Sequence, residues 1–330
     1  MAAEMLDNAP RLGPRYALAL LPGRGGGGSL PDRELAIRDL RVDAGNLADY
    51  AHVCGFAVDG TLPVTYPQVL AFGAQIRLMT EPGFPLRLPG LVHLRQRIRQ
   101  HRPIGLDEPL DLRVRAADLR AHPRGAQVDL LASVSVAGEP VWGARSTYLS
   151  RGASAPPDGA PPEKAIPEKA IPEKAAPETA TPQTVAPETV APETATSETA
   201  ELEPAGPEPA EVAGPLSARW RLAGDVGRRY ASVSGDVNPI HLHPLAARLF
   251  GFPGAIAHGM WTAARCVATL SGRLPEAYDV DVVFRKPVVL PTTVELHTAR
   301  TDTGWALTLR GAGSDRIHLA MAVHPASNIR

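Results

Sequence analysis

The sequence predicts an α+β protein of two fused domains, in each of which a long helix is wrapped by an antiparallel sheet. Three observations carry this prediction. A chain of 330 residues suits two modest domains better than one. A single low-complexity stretch divides it. On both sides of that stretch the elements follow the same order: a short leading strand, a helical stretch, an apolar helix, then a run of alternating strands.

The first domain spans residues 1–152. LAIRDLRVD, residues 35–43, reads as the leading strand, and Gln68–Met79 as the apolar helix. Strands follow around Leu91–Arg99, Leu110–Ala116, Gln127–Val136 and Pro140–Ser150. Residues 153–214 form the divider. It lacks aromatics, and a proline recurs every five residues from Pro162 to Pro192. That interval blocks a continuous helix and the composition offers little to bury, so the expectation is a disordered, partly extended linker. The second domain spans residues 215–330. ARWRLAG is its leading strand and Ala255–Leu270 its buried helix. VDVVFRKPVVL, TVELHTART, WALTLRGAG and IHLAMAVHP are its strands, with Gly, Pro or Asp between them.

Composition excludes several roles. The formal net charge is −1, so no basic surplus attracts a polyanion, and nucleic acid is not an expected partner. Cys54 and Cys266 are isolated, with no CxxC pair and no zinc-like grouping of histidines. Neither a disulfide framework nor a structural metal is expected, as suits a reducing compartment. No apolar run approaches the roughly 20 residues that span a bilayer. The N-terminal stretch MAAEMLDNAP is acidic, unlike a signal peptide. The expectation is a cytoplasmic protein with no membrane partner.

The halves also resemble each other in sequence. Tyr50-Ala51-His52-Val53-Cys54-Gly55 lies over Tyr230-Ala231-Ser232-Val233-Ser234-Gly235, which implies a duplicated domain. Beyond it the copies diverge. The second continues Asp236-Val237-Asn238-Pro239-Ile240-His241, the first Phe56-Ala57-Val58-Asp59-Gly60-Thr61. This alignment sets Phe56 against Asp236 and Thr61 against His241, so only the second copy holds an ionisable pair. The first also lacks most of a counterpart to His243–Phe252.

By spacing alone, the polar residues of YASVSGDVNPIHLH fit plain turn chemistry as well as a reactive site. Three features favour chemistry. Asp236 and His241 bracket a rigid Asn238-Pro239 step. The aligned copy keeps the scaffold and loses the pair. A helix then starts at His258-Gly259-Met260, where free backbone N–H groups can face a developing oxyanion. Gly259 has no side chain to obstruct its own N–H.

The string S-G-D-x-N-P-x-H followed by GFPGAIAHGM resembles the signature of the MaoC-like, or R-specific type 2, enoyl-CoA hydratases. The resemblance covers Tyr230–Met260 and extends to the end of the chain. It implies a pair of hot-dog folds of which only the second keeps the catalytic motif, while the degenerate first copy widens the tunnel for longer acyl chains. It assigns catalysis to Asp236, Asn238 and His241 and the oxyanion contact to Gly259. The implied reaction is reversible hydration of a trans-2-enoyl thioester to the (3R)-3-hydroxyacyl thioester. Coenzyme A would enter as part of the substrate, with no metal and no redox cofactor. Met260 and Trp261 are candidates to border the acyl tunnel, and Arg285 and Lys286 to meet the phosphates of coenzyme A. Three alternatives stay open: a (3R)-hydroxyacyl-ACP dehydratase of fatty-acid synthesis, a hot-dog acyl-CoA thioesterase, and a non-catalytic acyl-binding module. A homodimer is among the assemblies left open.

Overall fold

The computed structural model describes residues 2–6, 29–81, 83–88, 91–153 and 208–326. The linker expectation for residues 154–207 lies outside the described residues. Among the described residues, eleven strands form one sheet in the order β1-β2-β4-β5-β6-β3-β8-β11-β10-β9-β7. The first half supplies β1 (Ala2–Met5), β2 (Arg33–Leu40), β3 (Leu91–Gln100), β4 (Leu110–His122), β5 (Gly125–Val136) and β6 (Glu139–Arg151). The second supplies β7 (Leu216–Leu222), β8 (Tyr278–Phe284), β9 (Thr292–Thr301), β10 (Gly304–Gly311) and β11 (Ile317–Pro325). Without β1, the order reads the same from either edge: β2-β4-β5-β6-β3 is answered by β7-β9-β10-β11-β8. The two halves are therefore topological copies, a double hot dog joined where β3 pairs antiparallel with β8.

Charge fixes that seam as well as the ladder. The Arg95 guanidinium grips Asp281 with contacts of 2.9 and 2.5 Å, and Arg99 grips Asp279 with two of 2.7 Å. All four side chains are largely buried. Such bidentate pairs set the strand register in both directions.

The helices carry the same repeat. In the first half α1 (Ala44–Cys54) precedes the long α2 (Tyr66–Met79). In the second, α3 (Val226–Ser234) is followed by two short turns, α4 (Pro239–Leu242) and α5 (Pro244–Leu249), and then α6 (Gly259–Ala268). α1 and α3 end the same way, on Gly55 at φ 81° and Gly235 at φ 72°. A glycine takes this left-handed C-cap without the steric penalty of a side chain. The matched Tyr50 and Tyr230 meet at the centre, ring centroids 6.1 Å apart, in one core shared by both halves.

Three expectations need correction. The helix expected over Ala255–Leu270 begins only at Gly259, because residues 255–257 pair with the loop after β8 instead. Ala257 N–H donates to the Val288 carbonyl at 2.9 Å, and Leu290 N–H to that of Ala255 at 2.8 Å. The same two bonds recur in the first half, from Leu62 to Ile104 and from Leu106 to Gly60. Thr61 therefore occupies the place of Ile256, not of His241, and the segment bearing His241 has no counterpart in the first half. Residues 208–214, read as linker, run along the second half: Val212 N–H donates to Thr308 Oγ1 at 2.8 Å, and His297 Nδ1 bonds the Gly214 carbonyl at 2.9 Å.

Candidate active site

The site is built on the turns between α3 and α6. Gly235 ends α3 and turns the chain, which brings Asp236 out of the helix. Asp236 Oδ1 accepts the backbone N–H of Asn238 at 3.2 Å, an Asx-type turn that holds the carboxylate. Asn238 in turn caps α4, its Oδ1 accepting the Ile240 N–H at 3.4 Å, and Pro239 fills the first helical position. One turn later His241 is buried. The peptide of His241 packs so closely on α3 that a Cβ at Gly227 would lie 2.0 Å from its carbonyl oxygen. Only glycine fits there.

His241 Nδ1 bonds the Ile256 carbonyl at 2.8 Å. A carbonyl only accepts, so Nδ1 carries the proton and Nε2 is left with its lone pair. Burial lowers the His241 pKa, against the opposing pull of the Asp236 charge and the Ile256 bond. The ring is thus a neutral base near pH 7. Asp236 keeps about a fifth of its side-chain surface exposed, where it faces the cavity.

A third side chain completes the cluster. His258 caps the N-terminus of α6, buried, with its ring stacked on His241 at 3.7 Å between centroids. Its Nε2 lies 3.0 Å from the Asp236 backbone oxygen and 3.7 Å from Oδ2. Burial, reinforced by neighbouring His241, lowers its pKa to about 3. His258 is therefore a neutral N–H donor that ties the start of α6 to Asp236. The sequence reading used His258 only to mark a helix start. Its place immediately before Gly259 was the available signal.

A cavity of about 220 Å³ opens beside these groups. Asp236, Asn238, His241, Gly259 and Met260 all line it. Gly259 begins α6, so its N–H is among those without a helical acceptor. Its Cα faces the Phe284 ring so closely that an added Cβ would meet Cε1 at 3.1 Å. The first half contributes the facing part of the wall, from α2 and from the strands β3 and β6.

The other candidates separate. Trp261 does not line the cavity: its indole N–H donates to the Val53 carbonyl at 3.1 Å, locking α6 onto α1 within the core. The sequence reading of Trp261 as a tunnel residue is thus corrected to an inter-domain contact. Arg285 and Lys286 are exposed at the cavity rim. Arg285 is already engaged, 2.7 Å from Glu208 and 3.6 Å from Glu211. Asp236, His241 and His258 each bring a ligand-type atom within 4.8 Å of the others. Of their nitrogens, His241 Nδ1 and His258 Nε2 are committed to backbone oxygens. No helix among the described residues is long and apolar enough to cross a membrane.

A neutral imidazole, a carboxylate and a helix-terminal amide on one cavity can exchange protons with a bound molecule while stabilising an anion. Known proteins share this arrangement of chain. A family model for the MaoC like domain matches residues 215–309. Over 300 residues the chain is 36% identical to 3-hydroxyacyl-thioester dehydratase X of Mycobacterium tuberculosis, covering 89% of this chain and 90% of that one. A crystal structure of HtdX from the same organism aligns with a TM-score of 0.68 at 34% identity, over 89% of this chain and 100% of that one. A MaoC-like dehydratase from Phytophthora capsici, 15% identical, shares the fold with a TM-score of 0.61 over 91% of this chain and 97% of its own.

Proposed function

This chain belongs to the MaoC-like family of hydro-lyases, and from that premise we propose that it reversibly hydrates trans-2-enoyl-CoA thioesters to (3R)-3-hydroxyacyl-CoA. The observation that carries the reading is the shared opening of Asp236, His241 and Gly259 on one cavity.

Water is a poor nucleophile, with a pKa of about 15.7 in bulk, and needs a base as it attacks C3. In this reading a water molecule sits between the Asp236 carboxylate and His241 Nε2. One proton leaves the water as its oxygen bonds C3, and one proton reaches C2 from the same face. The pair shares the two transfers, and coupled groups of this kind titrate together. The main chain of Asn238 keeps Asp236 aimed through its N–H to Oδ1. The Asn238 side chain caps α4 through Oδ1 alone, so its Nδ2 remains available to orient the water or the Asp236 carboxylate. As C3 is attacked, negative charge moves to the thioester oxygen, and the Gly259 N–H stabilises that enolate. In the dehydration direction the same groups work in reverse order.

No electrons pass to an acceptor, so the proposal includes no redox cofactor. It includes no metal either: in this reading the Asp236/His241 pair alone activates the water. Activity that survives dialysis against EDTA is the expected result; activity lost and then restored by zinc would contradict this part of the proposal.

The test is to follow loss of enoyl absorbance with crotonyl-CoA and longer trans-2-enoyl-CoAs, and to resolve the product on a chiral column. Hydration giving the 3R product supports the reading. Release of free thiol without hydration would instead make the protein a thioesterase. Acyl-ACP is the alternative carrier, favoured by one observation: Glu208 and Glu211 already hold Arg285, one of the two rim cations assigned to coenzyme A. A higher kcat/KM with acyl-ACP than with the matching acyl-CoA would establish that alternative.

A further inference from the structure

Residues 208–214 cross the outer face of the second half's sheet and bring Glu208 to the cavity rim. His297 and Thr308 stand opposite each other on β9 and β10 and point away from the core, which takes the flanking Leu296, Leu307 and Leu309. Thr308 Oγ1 accepts the Val212 N–H at 2.8 Å, and His297 Nδ1 bonds the Gly214 carbonyl at 2.9 Å. Gly214 lies so close to β9 that an added Cβ would be 2.3 Å from the Thr298 carbonyl oxygen, so only glycine fits. Pro209 is buried. Main-chain bonds, a glycine contact and a proline therefore anchor the segment.

Its acidic side chains are not needed for that anchoring. Glu208 Oε2 lies 2.7 Å from Arg285 Nη1, and Glu211 Oε1 lies 3.6 Å from Arg285 Nε. Both carboxylates are about half-exposed, and ion pairs of this kind add little to stability. Their position matters more. Arg285 lines the cavity together with Arg124, Arg151 and Lys286, and Asp236 is the only carboxylate among the described lining residues. The rim is thus basic except where this segment reaches it. Two carboxylates on one guanidinium leave a net negative charge at that point.

A thioester of coenzyme A brings phosphate groups to this rim, and a free cation there would attract them. Glu208 and Glu211 occupy Arg285 first and repel the anion that approaches it. We infer that, on the hydratase reading above, residues 208–214 act as a strap that competes with the carrier's phosphates for Arg285. Glu208 and Glu211 thereby set how tightly a phosphate-bearing thioester binds. They touch no reacting atom and act through Arg285, so their effect falls on KM and not on kcat.

The test compares crotonyl-CoA with crotonyl-pantetheine, which carries the same acyl group and thioester but no phosphate. The proteins are wild type, the double variant Glu208→Gln/Glu211→Gln, and the double variant with Arg285→Gln added. Glutamine keeps the shape of each exposed side chain, and an unchanged urea midpoint verifies the fold. At low ionic strength the double variant should raise kcat/KM for crotonyl-CoA about threefold, within the range of exposed charge pairs, through KM alone. The gain should vanish at high salt, and kcat/KM for crotonyl-pantetheine should not move. Adding Arg285→Gln should remove the gain, because the freed guanidinium is what the phosphates meet. An unchanged or lower kcat/KM for crotonyl-CoA in the double variant overturns the inference while leaving the hydratase reading intact. An equal gain on both thioesters also overturns it, since the strap would then merely narrow the mouth. A gain that persists without Arg285 does the same, because competition for that residue would not be its source. Hydration of neither thioester by wild type would sink the hydratase reading itself.

Discussion

Replacing Gly259 with alanine separates two contributions of one residue. The new Cβ would lie 3.1 Å from Phe284 Cε1 and 3.3 Å from both Cδ1 and Cζ, so the ring must give by a few tenths of an ångström. It has little room to do so, because His93 leans on it and is itself stacked on Tyr148. Overpacking of this kind costs about 1–3 kcal/mol. Against it stands the helix-propensity gain of glycine to alanine, about 0.5–1 kcal/mol in an interior position and less in a first turn. The net effect on stability is thus a loss of about 1 kcal/mol, readable as a shift in urea midpoint at constant slope. The effect on catalysis should be larger. Alanine keeps the backbone N–H, but on the hydratase reading its methyl group holds the thioester oxygen out of reach of that donor. Losing one such donor lowers kcat by about 10²–10³, or roughly 3–4 kcal/mol. The assay is steady-state hydration of crotonyl-CoA, run alongside Phe284→Leu and the double variant. Phe284→Leu should relieve the clash and restore stability to Gly259→Ala without restoring kcat. Retention of kcat within threefold in Gly259→Ala would refute the oxyanion role. Recovery of kcat in the double variant would reassign the loss to packing.

Three further outcomes follow from the same geometry. His258→Phe keeps a ring against His241 but removes the N–H at the Asp236 carbonyl; kcat should fall about tenfold, the worth of one hydrogen bond, with a shifted pH profile for the Asp236/His241 pair. His93, His241 and His258 are buried and neutral, with pKa values below the unfolded value near 6.5, down to about 4 for His93 and about 3 for His258. The unfolded chain binds more protons than the folded one as pH falls below 6.5, so stability is lost in that direction. His93 and His258 together account for about 4 kcal/mol between pH 7 and pH 5, measurable by urea unfolding across that range. A flat profile there would mean that these rings are hydrated or charged in the fold. Asp279→Ala strands the largely buried Arg99 at the seam between the halves, and should lower stability by about 3 kcal/mol. The check is the urea midpoint; an unchanged value would show that the seam is held by the strand ladder alone.

Much of this was legible in the chain. Alternation located β4, β7 and β9, whose burial alternates, while β6 and β8 are buried on both faces and were legible as apolar runs; β8 ends at Phe284, short of the strand read through Leu290. The duplication was visible in the matched Tyr50 and Tyr230 segments, whose glycines cap equivalent helices. What failed depended on partners distant in sequence. Residues 255–257 are apolar and continuous with a helix, yet their N–H and C=O groups find Val288 and Leu290, which no local pattern reveals. The setting of Thr61 against His241 failed for the same reason, since an ungapped count cannot see that α4 and α5 are inserted. Trp261 looked like a tunnel residue by its place beside Gly259, but helix rotation turned its indole toward Val53. Pro209 is buried and Glu208 and Glu211 pair with Arg285, although their segment has the composition of the preceding linker.

At the centre of the account, Asp236 and His241 act on one water as a unit. The direct measurement is kcat for crotonyl-CoA hydration by Asp236→Asn, His241→Gln and the double variant, each verified as folded by its circular dichroism. Each single variant should lose about 10²–10⁴ in kcat, and the double should fall little further, as groups that work together do. Near-wild-type turnover in either single variant, or losses that multiply in the double, would contradict it.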